Sequence, residues 1–366
     1  MTIARSLLVD RSTSGYYHCY SRCVRKAYLC GEPEGGQHRK DWIRDRLILL
    51  SGAFALDVGG YAILDNHFHT VVRTDPGRAV KWSNHQVVKR WSKVYPASVR
   101  RWALVIICAH PEKRPDHLDD RTAIRLVAGD EERVGLLRIR LADLSWFMRA
   151  LKEPIARRAN IEDGVTGHFW EGRFKSLRIL GPIALLATLI YVDLNVIRAL
   201  LATTPESSDY TSAQDRILLR QLYDKLRGLR RRAPRRARFL LRKDQSGDPT
   251  ARGATLRMSD PEDGTWLAPI DRRRHENGML DVELDAYFVM LDHSGRMIRQ
   301  DKRGAIPAGL PPILERLKID VHRWRDILRD VGRLFGTVIG GTRAERAAEA
   351  ARRGVKRVAG VIDPAN

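Results

Sequence analysis

In the stretch ILDNHFHTVV, residues 63–72, two imidazoles stand one residue apart, His67 and His69, with Phe68 between them. Alternate side chains of a β-strand point to opposite faces, so the imidazoles share one face and Phe68 takes the other. Neutral imidazole nitrogens held side by side suit a divalent ion. The same spacing fits two ordinary half-exposed histidines on a sheet surface. A second pair stands in YVDLNVIR, 191–198. Tyr191 and Asn195 are four residues apart, which on a helix puts them on one face, and Arg198 continues that stripe. There the tyrosine hydroxyl is a candidate nucleophile, and the amide oxygen a candidate third ligand for an ion held by the histidines. The plainer alternative is a tyrosine reaching the surface above a buried, hydrogen-bonded asparagine.

Holding these groups together takes a sheet with a helix packed on it. YAILDNHFHTVVR, 61–73, reads as one strand ended by the turn residues Asp75-Pro76-Gly77. Ala62, Leu64, Phe68 and Val72 form its apolar face; Tyr61, Asp65, His67, His69 and Arg73 form a mixed polar one. GYYHCYSRC (15–23) reads as an aromatic-rich first strand, and 41–58 as an amphipathic helix with Asp41 as N-cap. Residues 78–95 and 143–160 carry apolar residues at helical spacing, with Pro154 kinking the second or marking its boundary. WALVIIC (102–108) reads as a short strand or a buried helical turn, and 167–180 as a loop feeding a strand. The run 182–202 is the clearest helix, with Pro182 in its first turn. Near the C-terminus, 286–304 reads as a hairpin turning at Ser294-Gly295, followed by helices at about 311–318 and 321–336.

These elements sort into a catalytic unit over 1–212 with an insertion at 109–140, a basic and partly disordered linker over 213–280, a small hairpin-and-helix region over 281–340, and a basic tail over 341–366. The linker holds KLRGLRRRAPRRARFLLRK (225–243), which suits a solvated helix face, a disordered arm or a phosphate-contacting segment equally. Across 366 residues, 65 Lys+Arg against 44 Asp+Glu leave a net charge of +21. Such an excess is self-repulsive unless a polyanion relieves it, which points to nucleic acid as partner. The N-terminus has no signal pattern, and the most apolar window, 183–201, contains Asp193, Asn195 and Arg198, so neither export nor a membrane partner is expected. Cys19, Cys23 and Cys30 do not have zinc-finger spacing and read as reduced thiols of a cytoplasmic, nucleoid-associated protein.

Taken in order, YYHCYSRCVRKAYLCG, the Asn-His-Phe-His strand, SWFMRALKEPIARRANIEDG, GHFWEGRFKS and YVDLNVIRALLA resemble the IS200-like single-tyrosine transposases of the HUH superfamily, and especially the REP-associated tyrosine transposases. The resemblance runs over roughly 12–212, with weaker features after 280. It implies an α+β fold, a ferredoxin-like antiparallel sheet with packed helices. It implies His67, His69 and Asn195 as ligands of Mg²⁺ (or Mn²⁺), and Tyr191 as the nucleophile that cuts single-stranded DNA at hairpin-flanked sites through a 5′-phosphotyrosine link. Two positions depart from the family pattern. Val196 stands where proline usually follows the asparagine, which should leave the helix straighter. Asp65 stands where Pro or Ser often precedes the Asn-His pair, and sharing a strand face with His67 it is a candidate second-shell residue.

For the DNA, Arg22, Arg25, Lys26, Arg173 and Lys175 are candidate phosphate contacts, and Tyr16, Tyr20, Phe169 and Trp170 candidate stacking surfaces for unpaired bases. No phosphate-binding G-x-x-x-x-G-K-[ST] loop is present, as suits an exchange of phosphodiesters. Two rival readings remain: a domesticated, non-catalytic DNA-binding protein, and a metal nuclease that activates water. The sequence leaves open monomer against homodimer, and whether Tyr191 serves its own chain's histidines or a partner's.

Overall fold

The computed structural model describes residues 9–31, 39–110, 118–232, 265–298, 338–340 and 343–352. The chain opens with β1 (Gly15–Arg22), whose alternation sends Tyr17 and Cys19 into one core and Tyr16 and Tyr20 toward another. Helix α1 (Arg39–Ser51) follows, shorter than the expected 41–58. The residues taken for its last turns belong instead to β2 (Leu56–Ile63), which pairs with β3 (His67–Thr74) as a hairpin. The expected single strand over 61–73 is therefore two strands, closed where the Leu64 N–H donates to the His67 carbonyl at 2.8 Å. β2 is buried on both faces, so it lacks the alternation that separates a strand from a helix.

Between β3 and β4 the described residues form six helices: α2 (Pro76–Val80), α3 (Asn84–Val94), α4 (Pro96–Ala109), α5 (Asp120–Ala128), α6 (Glu131–Ala142) and α7 (Leu144–Glu162). The 78–95 helix is broken at Ser83, whose side chain starts α3 through a capping box with Gln86. Residues 102–108 lie within α4, and Pro154 sits inside α7 rather than at its boundary. The helical excursion expected at 109–140 appears as α5 and α6, while 111–117 lie outside the described residues. β4 (Lys175–Leu180) leads into α8 (Pro182–Asp193), the short α9 (Asn195–Arg198) and α10 (Ser212–Arg232). The last elements are α11 (Leu284–Ile298), β5 (Val338–Gly340) and α12 (Arg343–Arg352).

The sheet order is β2-β3-β1-β4-β5, with the first four strands antiparallel and β5 parallel to β4. With α1 between β1 and β2 and α7 between β3 and β4, this is the β-α-β-β-α-β ferredoxin-like arrangement of an α+β protein. One face, with Tyr17, Phe68 and Val72, packs in one core with Leu47 and Leu50 of α1 and Phe147 and Leu151 of α7. The other, with Ala62, Val71, Leu177 and Ile179, is covered by Leu186, Leu189 and Ile190 of α8 and by Tyr287 and Leu291 of α11. The histidine-bearing face is thus roofed by the helix that carries Tyr191.

The hairpin expected at 286–304 is instead the helix α11 as far as Ile298. Leu284, Tyr287, Leu291 and Ser294 are buried at spacings of three and four, and Gly295 packs close under Leu194 rather than turning the chain. Residues 299–304 and the helices expected at 311–318 and 321–336 lie outside the described residues, as do 233–264 of the basic linker and 353–366 of the tail. Both flanks of that linker are packed: Ser212 and Ala213 are buried on one side, and Leu267, Ile270, Met279 and Leu280 on the other. Among the described residues no helix is long and apolar enough to cross a membrane.

Candidate active site

Strand register builds the site. Across β1 and β3, Arg22 pairs with His67, Tyr20 with His69 and His18 with Val71; on the other side of β1, Tyr20 faces Lys175 and His18 faces Leu177. Opposed residues of an antiparallel pair share a face, so His18, Tyr20, Arg22, His67, His69 and Lys175 stand on one side of the sheet. The rings of His67 and His69 are 5.0 Å apart between centroids, and His69 lies beside His18, nearly coplanar with it, at 5.1 Å. α8 lays Tyr191 against them: its ring lies edge-on to His69 at 5.9 Å and to His18 at 6.0 Å. Tyr191 therefore meets His69 and His18 of its own chain. The Arg198 guanidinium lies 4.8 Å from the Tyr191 ring centroid.

The helix carrying Tyr191 does not run straight through 182–202. It breaks at Leu194, although Leu194 N–H still bonds Ile190 and Arg198 N–H bonds Leu194. The Asn195 amide donates to the Tyr191 carbonyl at 3.0 Å, taking the acceptor that the Asn195 N–H would use in a regular helix. The single helix expected over 182–202 is therefore two, α8 and α9, interrupted where this side-chain bond is made, although Val196 rather than proline follows the asparagine. Its amide nitrogen faces its own backbone, so its oxygen is the group left to act elsewhere.

The imidazoles carry the chemistry of ligands. Burial, with help from the Arg22 charge and against Asp65, lowers the His67 pKa to about 4. Burial and then the neighbouring His18, His67 and Arg22 push the His69 pKa well below the ordinary histidine value. Both are neutral at pH 7. Each also has Nδ1 engaged: His67 Nδ1 lies 2.5 Å from Asn66 Oδ1, and His69 Nδ1 lies 2.9 Å from His18 Nε2. That leaves Nε2 of each ring as the outward nitrogen, the division of labour usual in metal-ligating histidines. Among the described residues no three His, Cys, Asp or Glu side chains are grouped to hold a metal. The two imidazoles alone suit a divalent ion only with oxygen donors added; the Asn195 amide, turned to its own backbone through its nitrogen, is the side chain the sequence offers for that place.

Tyr191 is half-buried, and burial raises its pKa, with Arg198 and then Arg22 pulling it back. Asp65 does not share a strand face with His67: it sits in the β2–β3 turn and pairs with Lys40 Nζ at 2.6 Å, and Asn66 takes the place at the His67 ring.

Of the basic candidates, Arg22 is on the site face, while Arg25 and Lys26 are exposed in a short turn after β1 with φ of 53° and 58°. Arg173 and Lys175 are exposed at the start of β4. The two segments are joined: Glu171 N–H bonds the Arg22 carbonyl at 2.8 Å and Val24 N–H the Phe169 carbonyl at 3.1 Å. Tyr16 and Tyr20 remain half-buried on the site face. Phe169 and Trp170 are core residues, 3% and 7% exposed, and do not offer stacking faces. Trp170 instead packs on Phe68 and donates to the Lys152 carbonyl at 3.0 Å. His18 was not singled out by sequence; the available signal was the alternation of GYYHCYSR, which puts it on one face with Tyr16 and Tyr20.

No family model matches the chain, and no curated protein matches it. Among solved structures, a REP-associated tyrosine transposase bound to a REP hairpin is similar, with a TM-score of 0.31 and 10% identity over 56% of this chain and 79% of that one. A likeness at that level carries no argument about activity.

Proposed function

We propose that this protein is a DNA strand transferase that cuts and rejoins single-stranded DNA, with Tyr191 as nucleophile. The observation carrying this reading is the meeting of the Tyr191 ring with the neutral His69 at 5.9 Å, under Arg198 and beside a strand end lined by exposed arginine and lysine. The ordered motifs resembling IS200-like transposases support it further. Tyr191 Oη attacks a backbone phosphorus; the new P–O bond to tyrosine forms as the bond to the 3′-oxygen breaks. The tyrosine proton ends on the released 3′-hydroxyl, and the 5′-phosphate stays on the enzyme. An unassisted tyrosine, with a pKa near ~10, is a poor nucleophile at neutral pH. Arg198 and Arg22 favour the developing phenolate. Held by His67, His69 and Asn195, Mg²⁺ or Mn²⁺ would supply charge stabilisation at the phosphate. Arg22, Arg25, Lys26, Arg173 and Lys175 hold the strand by its phosphates, and a folded, hairpin-bearing single strand is the substrate class.

The test is covalent trapping. The full chain is mixed with labelled single-stranded DNA carrying the hairpins that flank its own gene, with Mg²⁺ or Mn²⁺, and denaturation-resistant adducts are counted. An adduct that disappears in Tyr191→Phe and in His67→Ala is expected. Cleavage that persists in Tyr191→Phe without an adduct would point to a water-activating nuclease. Tight hairpin binding with no cleavage would point to a domesticated binder.

A further inference from the structure

We propose that His18 is a positioning residue that accepts the Nδ1 proton of His69 and so fixes the tautomer in which His69 Nε2 keeps its lone pair for a divalent ion. This rests on the metal site of the proposed function. His18 is 3% exposed and His69 is 6% exposed, so the pair is shut away from water. A nitrogen–nitrogen separation of 2.9 Å between His18 Nε2 and His69 Nδ1 admits one proton between them. If His18 donated it, the His69 proton would sit on Nε2 and that ring could not ligate. If His69 donates it, Nε2 is left as a donor of electrons. His67 follows the second pattern with Asn66 Oδ1, an acceptor that fixes the Nδ1–H form without ambiguity.

The His18 and His69 rings lie side by side and nearly coplanar, 22° between planes with centroids 5.1 Å apart, as an in-plane N–H···N bond requires, and the edge contact of His18 with Tyr191 at 6.0 Å holds that plane. His18 lies on β1, flanked on one side by Val71 and on the other by Leu177. A hydrogen-bonding ring between two aliphatic neighbours is better explained by its partner than by packing alone, because an unpaired buried imidazole would be destabilising. His18 touches the ligand rather than the ion, so its effect passes through His69.

The experiment uses the full chain labelled with ¹⁵N-histidine, compared with His18→Phe and His18→Asn, at pH 7.5. The imidazole nitrogen shifts read the His69 tautomer without any metal, and calorimetry with Mn²⁺ alone reads affinity. Expected are an Nδ1–H form of His69 in the parent, a mixture of tautomers in His18→Phe with Mn²⁺ affinity down about 10–100-fold, and recovery in His18→Asn, whose amide oxygen can accept. The asparagine variant keeps the test valid should the phenylalanine variant fold poorly, because its recovery separates an acceptor's role from mere filling of space. An Nε2–H form of His69 in the parent, or unchanged tautomer and affinity in both variants, overturns the proposal. An Nδ1–H form that depends on His18 in a chain taking up no Mn²⁺, with or without His67→Ala, supports the hydrogen bond and overturns the metal site itself.

Discussion

As the proposed nucleophile, Tyr191 would have to become an anion, or nearly one, where burial disfavours that. Desolvation raises its pKa, and the charge placed closest against this is Arg198, 4.8 Å from its ring centroid. The contact of Arg198 with the ring is present before reaction, so only what it gains as the phenolate forms lowers the barrier; a gain of about 1.4–2 kcal/mol, comparable to a desolvated cation–π contact, is about 10–30-fold in rate. Arg198→Ala is therefore expected to slow adduct formation by roughly 10–30-fold in single-turnover trapping, with hairpin affinity little changed. Arg198→Lys should recover part of the rate, since a point charge replaces the planar cation. A variant that trapped DNA at the parent rate would remove Arg198 from the chemistry. Arg198 was legible in the sequence because it continues the helical stripe of Tyr191 and Asn195. His18 was not, because its importance comes from the register of β1 against β3, a pairing of residues 51 apart in sequence. Phe169 and Trp170 mislead in the opposite direction. An aromatic pair beside basic residues looks like a base-stacking surface, and only the long-range packing onto Phe68 shows it to be core.

At the scale of elements, α8 is held from behind as well as against the sheet. Asp193, two residues past Tyr191, is fully buried and accepts from the Ala213 N–H at 3.0 Å, from the Ser212 hydroxyl, and from the Tyr287 hydroxyl of α11 at 2.6 Å. Burial raises the Asp193 pKa, while Arg216 and these hydrogen bonds pull it down. A folded-state carboxyl above its unfolded value gives stability that is complete below about pH 4 and is lost as pH rises through the folded pKa. Removing the Tyr287 hydroxyl takes away a bond to the charged form and raises that pKa further. Tyr287→Phe should then cost about 1.5–3 kcal/mol near neutrality and less at mildly acidic pH. Melting curves at pH 7.5 and pH 5.0 check the sign: a loss that grew on acidification would contradict it. The helix carrying Tyr191 was readable from Pro182 and its apolar run, and the histidine strand from its alternation. The hairpin before that strand and the helix α11 were not. β2 has no polar face to set a period, and the Ser294-Gly295 pair imitates a turn until packing under Leu194 explains the small residue.

For the whole molecule, the excess of 21 positive charges favours a polyanion as partner but does not say where it would sit. The proposed phosphate contacts cluster in one place. Bonds between the Arg22–Val24 and Phe169–Glu171 backbones bring the turn bearing Arg25 and Lys26 alongside the loop leading to Arg173 and Lys175, at the His67 end of the sheet. Each phosphate contact releases counterions, so the logarithm of affinity falls with the logarithm of salt by about 0.7 per contact on a single strand. If both side chains of the turn touch phosphates, Arg25→Ala combined with Lys26→Ala should flatten that slope by about 1.4. Exposed Arg101, in α4, serves as the control, and its alanine variant should leave the slope unchanged. Titrations of hairpin-bearing single-stranded DNA at several salt concentrations distinguish the cases. Equal flattening by the control would mean that charge acts diffusely over the surface. An unchanged slope in the double variant would move the strand away from the β1 turn and toward the remaining basic segments.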